Sequence, residues 1–488
     1  MWNRFKSFMT INDDRFEDLN KQNWQSVVYR DFSAGLIVAL TAIPMAMGFA
    51  MAAGLRPEQG IIAGAVACLV GRTFGGSKYQ VYGPTAAFIP VILALITTYE
   101  DRYISQYYAA RGSPVPEEVP HQIVEAAQYA AHGFLVFTSI IAGIILMISG
   151  LFGLGRIVQR VPNSIVVGFT IGIAIAIATC NVGEILGMNL KLGGGLLSKL
   201  SEIWTHRGDF SIWALTIGIA TFLMSRYLLR ISIFIPAPFI AITVCTAIAA
   251  FFLADKNLVL IHAKYGAVPS NFFAFTPPIV PSWDWVVVKD VVYFVIAIAF
   301  VSGVESLLCS SMADRLANNR KTPFNPDKEF WGQGLVQIIT PLINGFPCTG
   351  ALARTATSIR AGAVTPLAGY FKGILKLSLA YFMARYLDLV PMACIGGILL
   401  WVATNMIKRH EIREVWNRGW FHAALMIYTA VMVPLTDFLT GVASALVIYG
   451  LLYRFLDRPT RPTPEHRRAR EVELAAVSEP AAEPAVSS

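Results

Sequence analysis

Two ionisable side chains lie where charge is costly. Glu305 sits in Phe300-Val301-Ser302-Gly303-Val304-Glu305-Ser306-Leu307-Leu308-Cys309, deep in an otherwise apolar stretch. A carboxylate with small neighbours there is a candidate for coupling to a proton or a cation, and Ser302 and Cys309 lie one helical turn to either side of it. Arg354 closes the segment Gly345-Phe346-Pro347-Cys348-Thr349-Gly350-Ala351-Leu352-Ala353-Arg354. It brings a permanent charge and a planar fork suited to oxyanions. The competing reading makes these two residues a structural ion pair with each other, or with backbone carbonyls, and leaves a binding role open.

Two interruptions surround this chemistry. Val81-Tyr82-Gly83-Pro84-Thr85-Ala86-Ala87-Phe88 is broken by Gly-Pro, and in 345–355 a Pro and a Gly bracket small polar residues. Proline disrupts a helix interior but is tolerated in a first turn, so each motif predicts a break followed by a fresh helix N-terminus. Such a terminus carries free N–H groups and partial positive charge, which suits an anion. Irregular backbone at membrane depth is tolerated only in a protein interior or beside a cavity. Paired interruptions at matching positions point to a transport site.

The elements that must hold these motifs are apolar runs. Hydrophobic residues make up 55% of the 488 and charged residues 14%, too little charge to coat a soluble surface. Runs such as Phe134–Phe152 and Val291–Leu308 reach the ~20 apolar residues of a spanning helix. Spans are expected near 33–53, 59–74, 80–99, 133–153, 163–187, 210–228 and 231–253. A second set is expected near 287–313, 329–346, 350–360, 365–387, 390–407, 420–436 and 437–456. The fold class is therefore an all-α integral membrane protein of about fourteen segments. Each interruption is third in its set. An odd number of spans per half inverts the second half, which gives a seven-plus-seven repeat with two broken helices meeting at the midplane.

The net charge of +8 comes with basic residues in short loops and no aromatic interleaving, which excludes nucleic acid as a partner. Arg72, Lys78, Arg156, Arg160, Arg226, Arg230, Arg315, Arg320, Lys321, Lys328, Lys408, Arg409, Arg413 and Arg418 fall in alternate loops. The positive-inside rule then places both termini in the cytoplasm, with 100–132, which carries Glu117, Glu118 and Glu125, on the outside. The expected location is the inner (plasma) membrane. The polar first 30 residues carry no cleavable signal pattern, and the Ala/Pro/Glu/Ser-rich tail from Arg458 is expected to be disordered. Asp314, Arg315 and Asp437 read as interfacial residues. The six cysteines read as small buried hydrophobes, and the histidines lack ligand spacing, so neither a metal nor a cofactor is expected. Without a nucleophile–base pair or a Walker motif, an enzyme and an ATP-driven pump are both unsupported.

Taken together, these motifs resemble the sulfate permease (SulP) family of anion transporters over roughly residues 30–457. The resemblance rests on Asp31-Phe32-Ser33-Ala34-Gly35-Leu36 through Pro44 and Phe49, on Tyr82-Gly83-Pro84-Thr85, and on Val161-Pro162-Asn163-Ser164-Ile165-Val166-Val167-Gly168-Phe169. It also rests on the Glu305 span, Glu329-Phe330-Trp331-Gly332-Gln333-Gly334-Leu335 and the break at Gly345–Thr355. It implies a uracil-transporter-like fold with a core and a gate domain, in repeats of about 31–253 and 287–457, and a homodimer. It further implies a small inorganic anion, sulfate or bicarbonate, between Pro84-Thr85-Ala86 and Gly350-Ala351-Leu352-Ala353. Phe49 would line the pocket and Arg354 would stand behind it. Glu305, Ser302 and Cys309 would form the ion-coupling set. Glutamate in place of aspartate, and Cys309 in place of a hydroxyl, point to a proton rather than sodium. Residues beyond the last span are too few for the family's usual STAS domain. A nucleobase transporter on the same fold and a passive anion channel are the alternatives, and the first would be expected to carry a second carboxylate near residue 350.

Overall fold

The computed structural model describes residues 2–456 apart from 12, 20–21, 117–118, 159–161, 189–195, 233, 268–272, 281–282 and 437. Arg160, Val161, Glu117, Glu118, Asp437 and the tail 458–488 therefore lie outside the described residues. The chain runs through α1 (Trp2–Met9), α2 (Trp24–Ala52), α3 (Pro57–Phe74) and a two-residue strand, β1 (Tyr82–Gly83). A 3-10 turn, Ala86–Phe88, leads into α4 (Ile89–Ala109), followed by α5 (His121–Phe152), α6 (Gly155–Val158), α7 (Asn163–Leu186) and α8 (Leu196–Thr205). Next come α9 (Ile212–Ile231), α10 (Ala237–Phe252), α11 (Ile261–Tyr265), α12 (Trp285–Leu316) and α13 (Pro326–Leu342). After strand β2 (Thr349–Gly350) follow α14 (Leu352–Arg360), α15 (Leu367–Leu387), α16 (Met392–Met406), α17 (Arg409–Asn417), α18 (Trp420–Leu435) and α19 (Phe438–Leu456).

Local sequence explains the starts. Asn325 caps α13 by accepting from the N–H groups of Asp327 and Lys328, with Pro326 at the first helical position. Asp284 caps α12 through the N–H of Val287. Helices α2, α5, α7, α9 and α12 are long and apolar enough to cross a bilayer. Large apolar side chains such as Phe251, Phe252 and Phe382 point outward, and so do Trp285 and Trp420 at helix ends. A surface of that kind matches lipid and its interface. This is a multi-pass membrane protein.

The helices form two bundles. One packs α2, α3, α4, α5, α12, α13, α14 and α15 together; the other joins α7, α9, α10, α16, α18 and α19. The two meet where α16 and α10 lie against α2.

Three expectations are corrected. The spans expected to end at 99 and to begin at 133 both extend into the segment between them, because α4 runs on to Ala109 and α5 starts at His121. The segment expected at 231–253 starts only at Ala237, since Ser232 ends α9 in an extended conformation and prolines follow. Arg72, Lys78 and Lys328 are buried, not free loop charges. Arg72 donates to the carbonyl of Lys78, while Lys78 pairs with Asp18 and Lys328 with Asp13. The N-terminal segment thus lies against the first bundle. Arg15 donates to the carbonyls of Arg72, Thr73 and Gly75 at the C-terminal end of α3.

Candidate anion site at two broken helices

The two interruptions meet. β1 and β2 pair antiparallel, with Tyr82 opposite Gly350 and Gly83 opposite Thr349. Gly83 holds a φ of 153°, which a side chain would disfavour. The ladder continues through the N–H of Ala351, which donates to the carbonyl of Val81 at 2.9 Å. The N–H of Val81 in turn reaches Thr355 Oγ1 at 2.9 Å, and that hydroxyl lies 3.2 Å from Cys309 Sγ. From this crossing, the turn at Ala86 and helix α14 run in their own directions, each starting with N–H groups that a helix leaves unpaired.

Around the crossing, the candidate residues divide by role. Thr85 precedes the 3-10 turn, and its hydroxyl donates to Glu305 Oε2 at 2.7 Å instead of capping its own turn. Arg354 is 3% exposed and reaches across to the first break, donating through Nη2 to the carbonyl of Pro84. Its Nη1 is buried with no hydrogen-bond partner and lies against Gly83. Among the described residues, Glu305 and Arg354 do not form an ion pair. Gly350 and Ala351 are committed to the ladder, so the unpaired N–H groups of the second break are those of Leu352, Ala353 and Arg354. Thr85 and Ala86 are nearly buried, whereas Ala353 is exposed. Phe49 on α2 is 2% exposed and belongs to the same apolar cluster as Ala86, Ala87 and Phe88.

Two polar stripes support the crossing. On α12, Ser302, Ser306 and Ser310 recur every four residues, which puts them on one face. On α13 the same spacing aligns Glu329, Gln333 and Gln337. Gln337 Nε2 donates to Ser302 Oγ and to the carbonyl of Cys348, and Thr349 Oγ1 donates to the carbonyl of Ser302. Glu329 is fully buried and accepts from the N–H groups of Gly76 and Ser77 and from Gln80, Tyr82 and Ser306. The carboxylate thus pins the start of the first break to α12 and α13.

The profile of the Sulfate permease family matches residues 28–429. The chain belongs to that family. "Putative sulfate transporter YvdB" of Bacillus subtilis (strain 168) is 31% identical over 96% of this chain and 80% of its own length. The fold is similar to that of the murine Solute Carrier 26 family member A9 anion transporter in the inward-facing state. The TM-score is 0.75 at 18% identity, covering 88% of this chain and 68% of that one. It is also similar to the transmembrane domain of a cyanobacterial bicarbonate transporter, BicA, with a TM-score of 0.69 at 20% identity, covering 86% of this chain and 97% of that one. The family and these relatives are transporters rather than enzymes.

In this member of the Sulfate permease family, sequence reasoning passed over several buried polar residues. Glu329 reads as the start of a span, yet it is the hub beneath the first break. Lys372 and Lys376 are fully buried on α15, and Lys372 donates to the carbonyls of Gly64 and Tyr82. The signal was present, since two lysines inside one apolar stretch are as costly as the charges at 305 and 354.

Proposed function

We propose that the chain is a secondary active transporter that carries a small inorganic anion, sulfate or bicarbonate, together with a proton. The observation that carries this reading is the 2.7 Å hydrogen bond from Thr85 to Glu305. It ties the residue preceding one helix N-terminus to a carboxylate inside the membrane span. A charged Glu305 would repel an anion held there; a proton on it removes that repulsion. Proton and anion would then bind together and cross together. Arg354 contributes the fixed positive charge behind the break, and the N–H groups of Leu352–Arg354 face it from the other side. Ser302 and Cys309 frame Glu305 on α12, and Phe49 closes the apolar side of the pocket.

The order of the elements supports a seven-plus-seven inverted repeat. β1 with α4 is third after α2 and α3, and β2 with α14 is third after α12 and α13. The first bundle, which holds both breaks, would move against the second, with both termini in the cytoplasm and a homodimer in the inner membrane.

Purified protein in proteoliposomes tests this. Uptake of labelled sulfate, bicarbonate and uracil is measured under an inward proton gradient, an inward sodium gradient and neither. Saturable, proton-stimulated uptake of one anion is expected, and Glu305→Gln should abolish the proton dependence. If that variant still follows the proton gradient, the coupling role is wrong. Uptake of uracil alone would sink the anion assignment.

A further inference from the structure

Lys372 and Lys376 stand one turn apart on the face of α15 that packs on α3, 1% and 0% exposed. Lys372 Nζ donates to the carbonyl of Tyr82 at 2.7 Å and to that of Gly64 at 3.1 Å, and Lys376 Nζ donates to the carbonyl of Gly60 at 3.1 Å. Helix α3 makes room with glycine, since a Cβ on Gly64 would collide with Lys376 Nζ. Among the described residues, neither ammonium lies within ion-pair distance of a carboxylate. Burying a charge with only carbonyl dipoles for partners is unfavourable unless a counter-charge completes the site.

The position of the two charges indicates what completes them. Tyr82 and Pro84 flank Gly83 at the first break, and their carbonyl oxygens would repel an anion there. Lys372 occupies one of these oxygens and Arg354 the other. Lys376 adds a second ammonium one turn further along α15.

We propose that Lys372 and Lys376 set the charge selectivity of the site, their positive charges being completed by the anion itself and favouring a divalent over a monovalent one. This rests on the anion-carrier reading above. Coulomb energy is linear in the charge of the ion, so removing one lysine charge costs a divalent anion twice the free energy it costs a monovalent one. If the KM of the monovalent anion rises by some factor, that of the divalent anion rises by its square.

The test uses the full chain in proteoliposomes, comparing wild type with Lys376→Gln and Lys372→Gln, each glutamine offering an uncharged donor. KM is measured for sulfate and bicarbonate; an anion that is not itself carried is read as a competitor of the other. A rise of about threefold for bicarbonate should accompany about tenfold for sulfate. Equal rises for both anions, or none, would mean a merely structural role and overturn the assignment. If Lys372→Gln is not recovered folded, Lys376→Gln decides alone, because its partner lies in α3 and not at the break. A wild-type protein that moves neither anion overturns the carrier reading and this one with it. An unchanged selectivity ratio in variants of an active wild type overturns only the lysines.

Discussion

The two bundles solve the problem of buried polar groups differently. In the bundle of α7, α9, α10, α16, α18 and α19, buried Asn181, Thr221 and Thr429 each bond to a carbonyl one turn back on their own helix. The side-chain bonds of Tyr428 to Ser444 and of Ser164 to His422, which join its helices, involve no carboxylate, lysine or arginine. In the bundle that holds the breaks, buried polar side chains reach from element to element. Asp31 on α2 accepts from the N–H of Val364 and the hydroxyl of Thr365, Gln80 ties Ser306 to Glu329, and Lys372 holds Tyr82. Directional bonds across helices fix one arrangement, whereas apolar contact is non-directional and tolerates sliding. The difference teaches which body would move whole and which surface it would slide on.

The largest effect should come from removing the hub of the cross-linked bundle. Glu329→Ala leaves buried donors on Gly76, Ser77, Gln80, Tyr82 and Ser306 without their acceptor. Each lost partner costs about 1–3 kcal/mol, so the total should exceed about 5 kcal/mol, comparable to the whole stability of many domains. The expected result is loss of monodisperse protein on size exclusion. A variant that is recovered with an unchanged melting temperature in detergent would break the comparison at its centre.

How much of this was legible depended on where each partner lies. Gly83-Pro84 and Gly345–Thr355 announced breaks because Pro and Gly act on their own backbone. That the two breaks meet was an inference from position, and the antiparallel pairing of Tyr82 with Gly350 was not foreseen. Glu305 stood out as a lone carboxylate in an apolar run. Glu329 did not, because a charge at the first residue of a predicted span passes for an interfacial residue until its depth is known. The particular partners of Lys372 and Arg354 were hidden for another reason. Both donate to backbone carbonyls of the first break, and a carbonyl has no residue type to read. Loop charges misled in the same way: Arg72 looks like any positive-inside residue, yet it is fully buried and bonded to the carbonyl of Lys78.

An intermediate effect is expected at the N-terminal segment, which is fastened to the cross-linked bundle. Burial works to raise the Asp13 carboxyl, but its bonds to Arg15 and Lys328 outweigh burial and hold it below its ordinary 3.8. A carboxylate with a lowered value in the folded state contributes stability at pH above 3.8, lost as pH falls through the lower, folded value. Hydrogen exchange of residues 2–18 should therefore be slow at neutral pH and speed up in acid. Asp13→Asn should show the fast exchange at neutral pH as well. If exchange there is already fast in the wild type, the segment is not held by this pair.

The smallest effect should fall in the other bundle. Thr429 is fully buried on α18, and among the described residues its hydroxyl bonds only to Leu425, on its own helix. Thr429→Val keeps the shape and removes a donor together with a bond that links no two helices. The carbonyl of Leu425 keeps its place in the helix, so the change should stay within about 0.5 kcal/mol. Melting temperature and uptake should both match wild type. A loss near that of Glu329→Ala would show that this bundle also depends on its polar groups. The contrast between a cross-linked body and a sliding surface would then fail, because both bundles would be fixed by directional bonds.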